Sequence, residues 1–353
     1  MNKDLLRMDN LSKEEILDIL NLADQLKYER KHGIDHPLLK GKSLGMIFEK
    51  ASTRTRVSFE VGMYQLGGHP LFLSSKDLQI GRGEPIQDTA RVLSRYLDGI
   101  MIRTFSQKGI ETLAECSSIP IINGLTDEEH PCQVLADLMT IREKKLILEG
   151  LKVAYIGDGN NMCNSLIVGC LTIGMHLSIA NPIGYKPPQY YTDKGLELAK
   201  ENNVSFIMTE NPEDAVVDAD VIITDVWASM GQEDEAKKRQ IAFKGYQVNS
   251  DLMKLAKADA IVLHCLPAHR EEEITEDVLE ANSDVIFEEA ENRLHAQKAV
   301  LVKLLSIKGR TIKSRLLFFY VIYDMFNYHI DTSITITLNF KLRIIMVSFF
   351  IYI

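Results

Sequence analysis

The sequence predicts an α/β fold of two doubly wound parallel-sheet domains, joined by long helices and completed by a returning C-terminal helix. Three observations predict it. Apolar runs of strand length alternate with amphipathic helical patterns, as parallel sheets covered by helices on both faces require. The alternation falls into two series, with a break at Gly150. The length, 353 residues at 46% hydrophobic and 25% charged, suits two globular domains better than one.

The chain opens on "MNKDLLRMDNLSKEEILDILNLADQLK", an acidic amphipathic helix without the apolar core of a signal peptide. "SLGMIFE" (43–49) reads as a strand, followed by a helix from about Thr53 to Leu66. "HPLFLS" (69–74) is the next strand, and Pro85 opens the next helix. "GIMIRT" (99–104), a short helix (109–116) and "IPIIN" (119–123) follow. Pro131 stands at the favoured first position of a long helix reaching about residue 148. The second series reads "KVAYIGD" (152–158), "HLSIANP" (176–182), "VSFIMT" (204–209), "DVIITDV" (220–226), "AIVLHCL" (260–266) and "DVIFEE" (284–289) as strands. "EAENRLHAQKAVLVKLL" is the returning helix. The expected domains are residues 1–148, completed by the helix at about 289–306, and residues 149–288.

The formal net charge of -9 argues against a nucleic-acid partner. Five scattered cysteines (116, 132, 163, 170, 265) lack zinc-ligand spacing, so a reducing, cytoplasmic setting without structural metal is expected. No run of about 18 apolar residues suggests a membrane span.

Open α/β sheets bind ligands beyond the carboxyl ends of their strands. Polar residues recur there. Ser52, Thr53, Arg54 and Thr55 follow the first strand. They suit either a helix cap or an anion cradle, in which hydroxyls, free amides and a forked guanidinium meet a phosphate. Arg103 ends the third strand. His130 precedes Pro131 at a helix start, where the dipole favours a neutral imidazole. "GDGNN" (157–161) resembles the start of a dinucleotide fingerprint, but Met162 replaces the third glycine and Asn181 stands where a ribose-binding acid belongs. A tight turn exposing Asn160 and Asn161 is the simpler reading, and a dehydrogenase is the distant alternative. Asp225 and Cys265 end two further strands and could orient an amine. Cys265 could equally be an inert buried thiol. The "SMGQEDE" loop (229–235) could be a closing lid or a plain connection.

Taken together, "STRTR" (52–56), "HPCQ" (130–133), "DVWASMG" (225–231) and "HCLP" (264–267) resemble the aspartate/ornithine carbamoyltransferase family over about residues 3–306. The last two motifs look like its ornithine branch. The resemblance implies transfer of a carbamoyl group from carbamoyl phosphate to the δ-amine of L-ornithine, with putrescine or N-acetylornithine as alternative amines. It implies a homotrimer, and neither metal nor organic cofactor. It assigns carbamoyl phosphate to Ser52, Thr53, Arg54, Thr55, Gln79, Arg103, His130, Gln133, Cys265, Leu266 and Arg293. Gln79 would reach across a subunit boundary. Ornithine falls to Asn161, Asp225, Ser229 and Met230. Arg54, Arg103, His130, Asp225 and Cys265 are the implied catalytic set. Arg56, two residues beyond Arg54, is expected to point elsewhere.

The pattern ends near Ser306. Residues 307–353 lack Ala, Glu and Pro and carry six Lys/Arg against two acids. This composition makes the tail foreign to the family fold, with frameshift or readthrough as the leading expectation.

Overall fold

The computed structural model describes residues 3–228 and 235–306. Its first series runs α1 (Lys13–Lys31), β1 (Ser43–Phe48), α2 (Thr53–Gln65), β2 (His69–Ser74), α3 (Ile86–Leu93), β3 (Gly99–Arg103), α4 (Gln107–Cys116), β4 (Ile121–Leu125) and α5 (Pro131–Lys145). The second series runs β5 (Lys152–Ile156), α6 (Asn161–Ile173), β6 (His176–Ala180), α7 (Gln189–Glu201), β7 (Phe206–Thr209), α8 (Pro212–Val216) and β8 (Val221–Thr224). It continues with α9 (Ala236–Ala242), α10 (Ser250–Met253), β9 (Ile261–His264), α11 (Glu276–Ala281) and α12 (Ser283–Leu305).

Two parallel sheets result, ordered β2-β1-β3-β4 and β7-β6-β5-β8-β9. The central strands are buried on both faces, which is why they read as unbroken apolar runs. The edge strands β2 and β7 keep exposed positions. Helix ends follow local chemistry. Ser12 and Glu15 form a reciprocal capping box on α1. Asn160 caps α6, and Gly174 closes it in the left-handed region at φ 88°.

One strand expectation fails. "DVIFEE" lies inside α12, which begins at Ser283. No glycine or proline separates that apolar run from the helical pattern that follows, so it propagates as one helix. The expected return is present, since α12 packs on α1, α2 and α5. Residues 3–11 also bridge outward, adding Leu5 beside Ile122 at the edge of β4. Among the described residues no helix is long and apolar enough to cross a membrane.

Candidate active site

A cleft of about 1060 Å³ gathers the loops at the carboxyl ends of both sheets. Each sheet meets it where its strand order reverses, between β1 and β3 in one and between β5 and β8 in the other. Loops leaving such a point diverge and open a crevice.

On the first wall, Ser52 ends the turn after β1 and caps α2, its Oγ accepting from the Thr55 amide at 3.2 Å. The amides of Thr53 and Arg54 have no acceptor among the described residues, and both residues line the cleft. The Ser52 cap therefore leaves those two first-turn amides facing the cleft. Arg54 also lines the cleft with its side chain and donates to the Leu266 carbonyl. Arg56 turns away: its guanidinium lies 3.8 Å from the Phe72 ring centroid and its Nε donates to Glu60 at 3.3 Å.

Arg103, buried at the end of β3, joins this wall. So does Arg293 of α12, whose Nη2 donates to Thr55 Oγ1 at 3.2 Å and whose Nη1 donates to Gln133 Oε1 at 2.6 Å. Burial, then Arg293 and Arg54, lower the Arg103 pKa to about 10, which still leaves it charged at neutral pH. Gln133 itself lies behind the wall, wholly buried, and reaches the cleft through Arg293.

His130 occupies a cap position, yet its side chain caps nothing. Its backbone amide donates to Ser165 Oγ at 2.8 Å, and the residue lines the cleft. Its Nδ1 has no partner among the described residues. Burial, followed by the charges of Arg293, Arg103 and Arg54, holds its pKa well below the usual histidine value. The ring is thus a neutral donor or acceptor, held so by desolvation and three neighbouring cations.

On the second wall, Asp225 and Cys265 follow β8 and β9. The Cys265 thiol donates to Asp225 Oδ1 at 3.1 Å. Burial and the Asp225 charge push the thiol pKa well above its ordinary range, so Cys265 stands protonated here. Leu266 holds a left-handed φ of 56°, unusual for a branched side chain. Its amide donates to His264 Nδ1 at 2.9 Å and its carbonyl accepts from Arg54, fixing that bend. Asn161 lines the cleft and donates to the Thr126 carbonyl at 2.6 Å, tying the second wall to the loop before His130.

Gly159 of "GDGNN" serves a close approach. A Cβ on Gly159 would meet Pro187 N at 2.3 Å and Lys186 C at 2.4 Å. Backbone of the 185–187 loop fills the space above this turn, where a dinucleotide reading wants pyrophosphate.

Several participants escape the sequence pattern. Asn160 donates to Asp225 Oδ2 at 2.8 Å while its Oδ1 caps α6. Buried Lys50 pairs with Asp127 and stands 4.3 Å from the Phe105 ring centroid at the cleft wall. Arg239 of α9 bonds Asp158 at 2.7 Å and the Trp227 carbonyl at 2.9 Å. Lys50 and Asn160 offered only their proximity to strand ends as a sequence signal, and Arg239, inside α9, offered none. Gln79 is exposed and lies outside this cleft's lining. Ser229, Met230 and the rest of the expected lid as far as residue 234 lie outside the described residues.

Comparison with known proteins agrees with this geometry. The family model "Aspartate/ornithine carbamoyltransferase, carbamoyl-P binding domain" matches residues 3–143. "Aspartate/ornithine carbamoyltransferase, Asp/Orn binding domain" matches residues 149–304. An ornithine carbamoyltransferase of Carboxydothermus hydrogenoformans is 56% identical over 303 residues, covering 86% of this chain and 97% of that protein. Among solved structures, the ornithine carbamoyltransferase from Pyrococcus furiosus superposes with a TM-score of 0.83 at 53% identity, covering 87% of this chain and 97% of that one. An anabolic ornithine carbamoyltransferase from Campylobacter jejuni gives 0.82 at 44% identity, covering 86% and 99%. With both family models matched in order and a cleft built from the strand ends of both sheets, the chain belongs to the aspartate/ornithine carbamoyltransferase family.

Proposed function

We propose that this chain transfers the carbamoyl group of carbamoyl phosphate to the δ-amine of L-ornithine, giving L-citrulline and phosphate. One observation carries the reading. A wall of three arginines with a neutral histidine faces a wall of carboxylate, thiol and amides across one cleft. The first suits a dianion and a carbonyl, the second an amino acid.

In this reading the phosphate sits on the Thr53 and Arg54 amides and the Arg54 guanidinium, with Ser52 and Thr55 beside it. Arg103, His130 and Thr55 donate to the carbamoyl oxygen. Thr55 Oγ1 already accepts from Arg293, so its own proton is left to give. Gln133 sets Arg293, and Gln79 serves the cleft of a neighbouring copy. Asn161, Asp225, Ser229 and Met230 hold ornithine, while Cys265 and Leu266 meet both substrates.

The δ-amine, with a pKa of about 10.4 by analogy with lysine, must first lose a proton to solvent. Its lone pair then attacks the carbonyl carbon and the C=O electrons move onto oxygen. That oxyanion gains about 3–4 kcal/mol from each well-placed donor. The C–O bond to phosphate then breaks, phosphate leaves with the electron pair, and it takes the extra amine proton. Cys265 and Asp225 orient the amine for this attack.

We further propose a cytoplasmic homotrimer. Its five cysteines are all free. Val57, Val61 and Tyr64 leave an apolar stripe on α2, beside exposed Phe72 on the edge strand β2. Packing that face against another copy would cover it. Equal amounts of citrulline and phosphate released from the two substrates are the expected result. Phosphate release that ignores ornithine would overturn the transfer reading.

A further inference from the structure

Behind the arginine wall, two carboxyl groups are buried against each other. Asp137 lies one turn after Gln133 on α5, and Glu289 one turn before Arg293 on α12. They are 0% and 1% exposed. The Gln133 amide stands between them and the cleft. A guanidinium only donates, so the oxygen facing Arg293 must be Gln133 Oε1, and its Nε2 must face inward. There Nε2 donates to Asp137 Oδ1 at 2.9 Å and to Glu289 Oε1 at 2.8 Å. Glu289 Oε2 accepts the His264 amide at 2.9 Å.

Both oxygens of Glu289 therefore already receive N–H donors. Asp137 Oδ2 receives none among the described residues, although it is fully enclosed. The two carboxyls thus take both hydrogens of one buried amide, and two ionised carboxylates held that close without water would repel each other. Burial raises the pKa of both groups, and the charge of Asp137 adds to the rise at Glu289.

We infer that Asp137 and Glu289 carry one proton between them, held on Asp137 Oδ2, the one oxygen of the four that receives no N–H donor among the described residues, and that this acid–carboxylate pair positions the site from behind. On one side it fixes the Gln133 amide and so aims Arg293. On the other it holds the strand end at His264, one residue before Cys265. With one proton the pair carries a single negative charge, matched by Arg293. Neither carboxyl lines the cleft, so both are positioning residues. The consequence for catalysis rests on the carbamoyl-transfer reading above.

The donor pattern makes the pair unequal to substitution. Asp137→Asn keeps it, because Oδ1 still accepts from Gln133 and Nδ2 replaces the acid proton. Glu289→Gln breaks it, because an NH2 must face either the Gln133 or the His264 donor. The test compares Asp137→Asn, Asp137→Ala and Glu289→Gln by steady-state kinetics and thermal unfolding. Asp137→Asn is expected to keep kcat and the KM for carbamoyl phosphate within about threefold. Asp137→Ala and Glu289→Gln are expected to raise that KM by about tenfold or more, with a smaller change in the KM for ornithine. Unfolding midpoints should show the same order without any turnover. Failure of Glu289→Gln to fold, with Asp137→Asn folded, is that order in its extreme form. Equal damage by Asp137→Asn and Glu289→Gln, or tolerance of Glu289→Gln alone, would overturn the assignment. A wild type that forms no citrulline would instead sink the transfer reading, and the midpoints would still decide where the proton lies.

Discussion

Between Ser52 and Arg56 a single turn performs two tasks. Ser52 satisfies the Thr55 amide, and the remaining first-turn amides stay available beside Arg54. Substitution should therefore separate the two arginines. Arg54→Ala is expected to cost about 100-fold or more in kcat/KM for carbamoyl phosphate, as loss of a charged oxyanion or phosphate donor does. Arg56→Ala loses an exposed ion pair and a ring contact, worth about 1 kcal/mol of stability, and should leave kcat/KM nearly unchanged. Steady-state kinetics on two folded variants checks the contrast. His130 offers a pH test. Its pKa is depressed, so the neutral form persists below the ordinary histidine range, and protonation would destabilise the fold as pH falls past the unfolded value of about 6.5. Its nitrogen NMR shifts should show no cation forming between about pH 8 and 6. A midpoint inside that window would contradict the neutral-donor role.

Residues that end strands were legible because the topology announces where strands point. Arg54, Arg103, His130, Asp225 and Cys265 were found that way, and all five line the cleft. Asp137 and Glu289 were not, because their roles depend on partners distant in sequence. Gln133/Asp137 and Glu289/Arg293 did leave a trace: each is a polar pair four apart on a buried helix stretch. That spacing puts both members on one face.

Among the elements, the turn after β5 depends on Gly159 more than its dinucleotide resemblance suggests. Gly159→Ala would push a Cβ into backbone atoms that cannot rotate aside. A cost of about 1–3 kcal/mol is expected, with the KM for ornithine raised because Asn160 and Asn161 follow directly. Unchanged stability in thermal melts would show that the 185–187 loop yields. The return from the undescribed segment to α9 is anchored by Arg239, whose partner Asp158 is also buried. Arg239→Ala strands that carboxylate and should cost about 3–5 kcal/mol, measured by denaturant unfolding. The one misread element, "DVIFEE", shows the limit of short apolar runs. Six residues of such a run fit strand or helix, and only the uninterrupted helical stretch after it decides.

At the scale of the molecule, two series of βα units gave two parallel sheets, and the cleft followed from their reversal points. The side-by-side placement of the two walls was not legible, since it is set by how α5, α6 and α12 pack. The compact unit of the described fold closes at Ser306. A chain ending there is expected to keep the unfolding midpoint and activity of the full chain. A large loss of either would mean that residues 307–353 belong to the working enzyme.

The central claim is best tested by citrulline formation from carbamoyl phosphate with ornithine, alongside carbamoyl transfer to putrescine, N-acetylornithine and aspartate under the same conditions. The expected result is a kcat/KM for ornithine at least about 100-fold above each rival, the discrimination that paired polar contacts to an α-amino acid can supply. Preference for aspartate, or no carbamoyl transfer to ornithine at all, would contradict it.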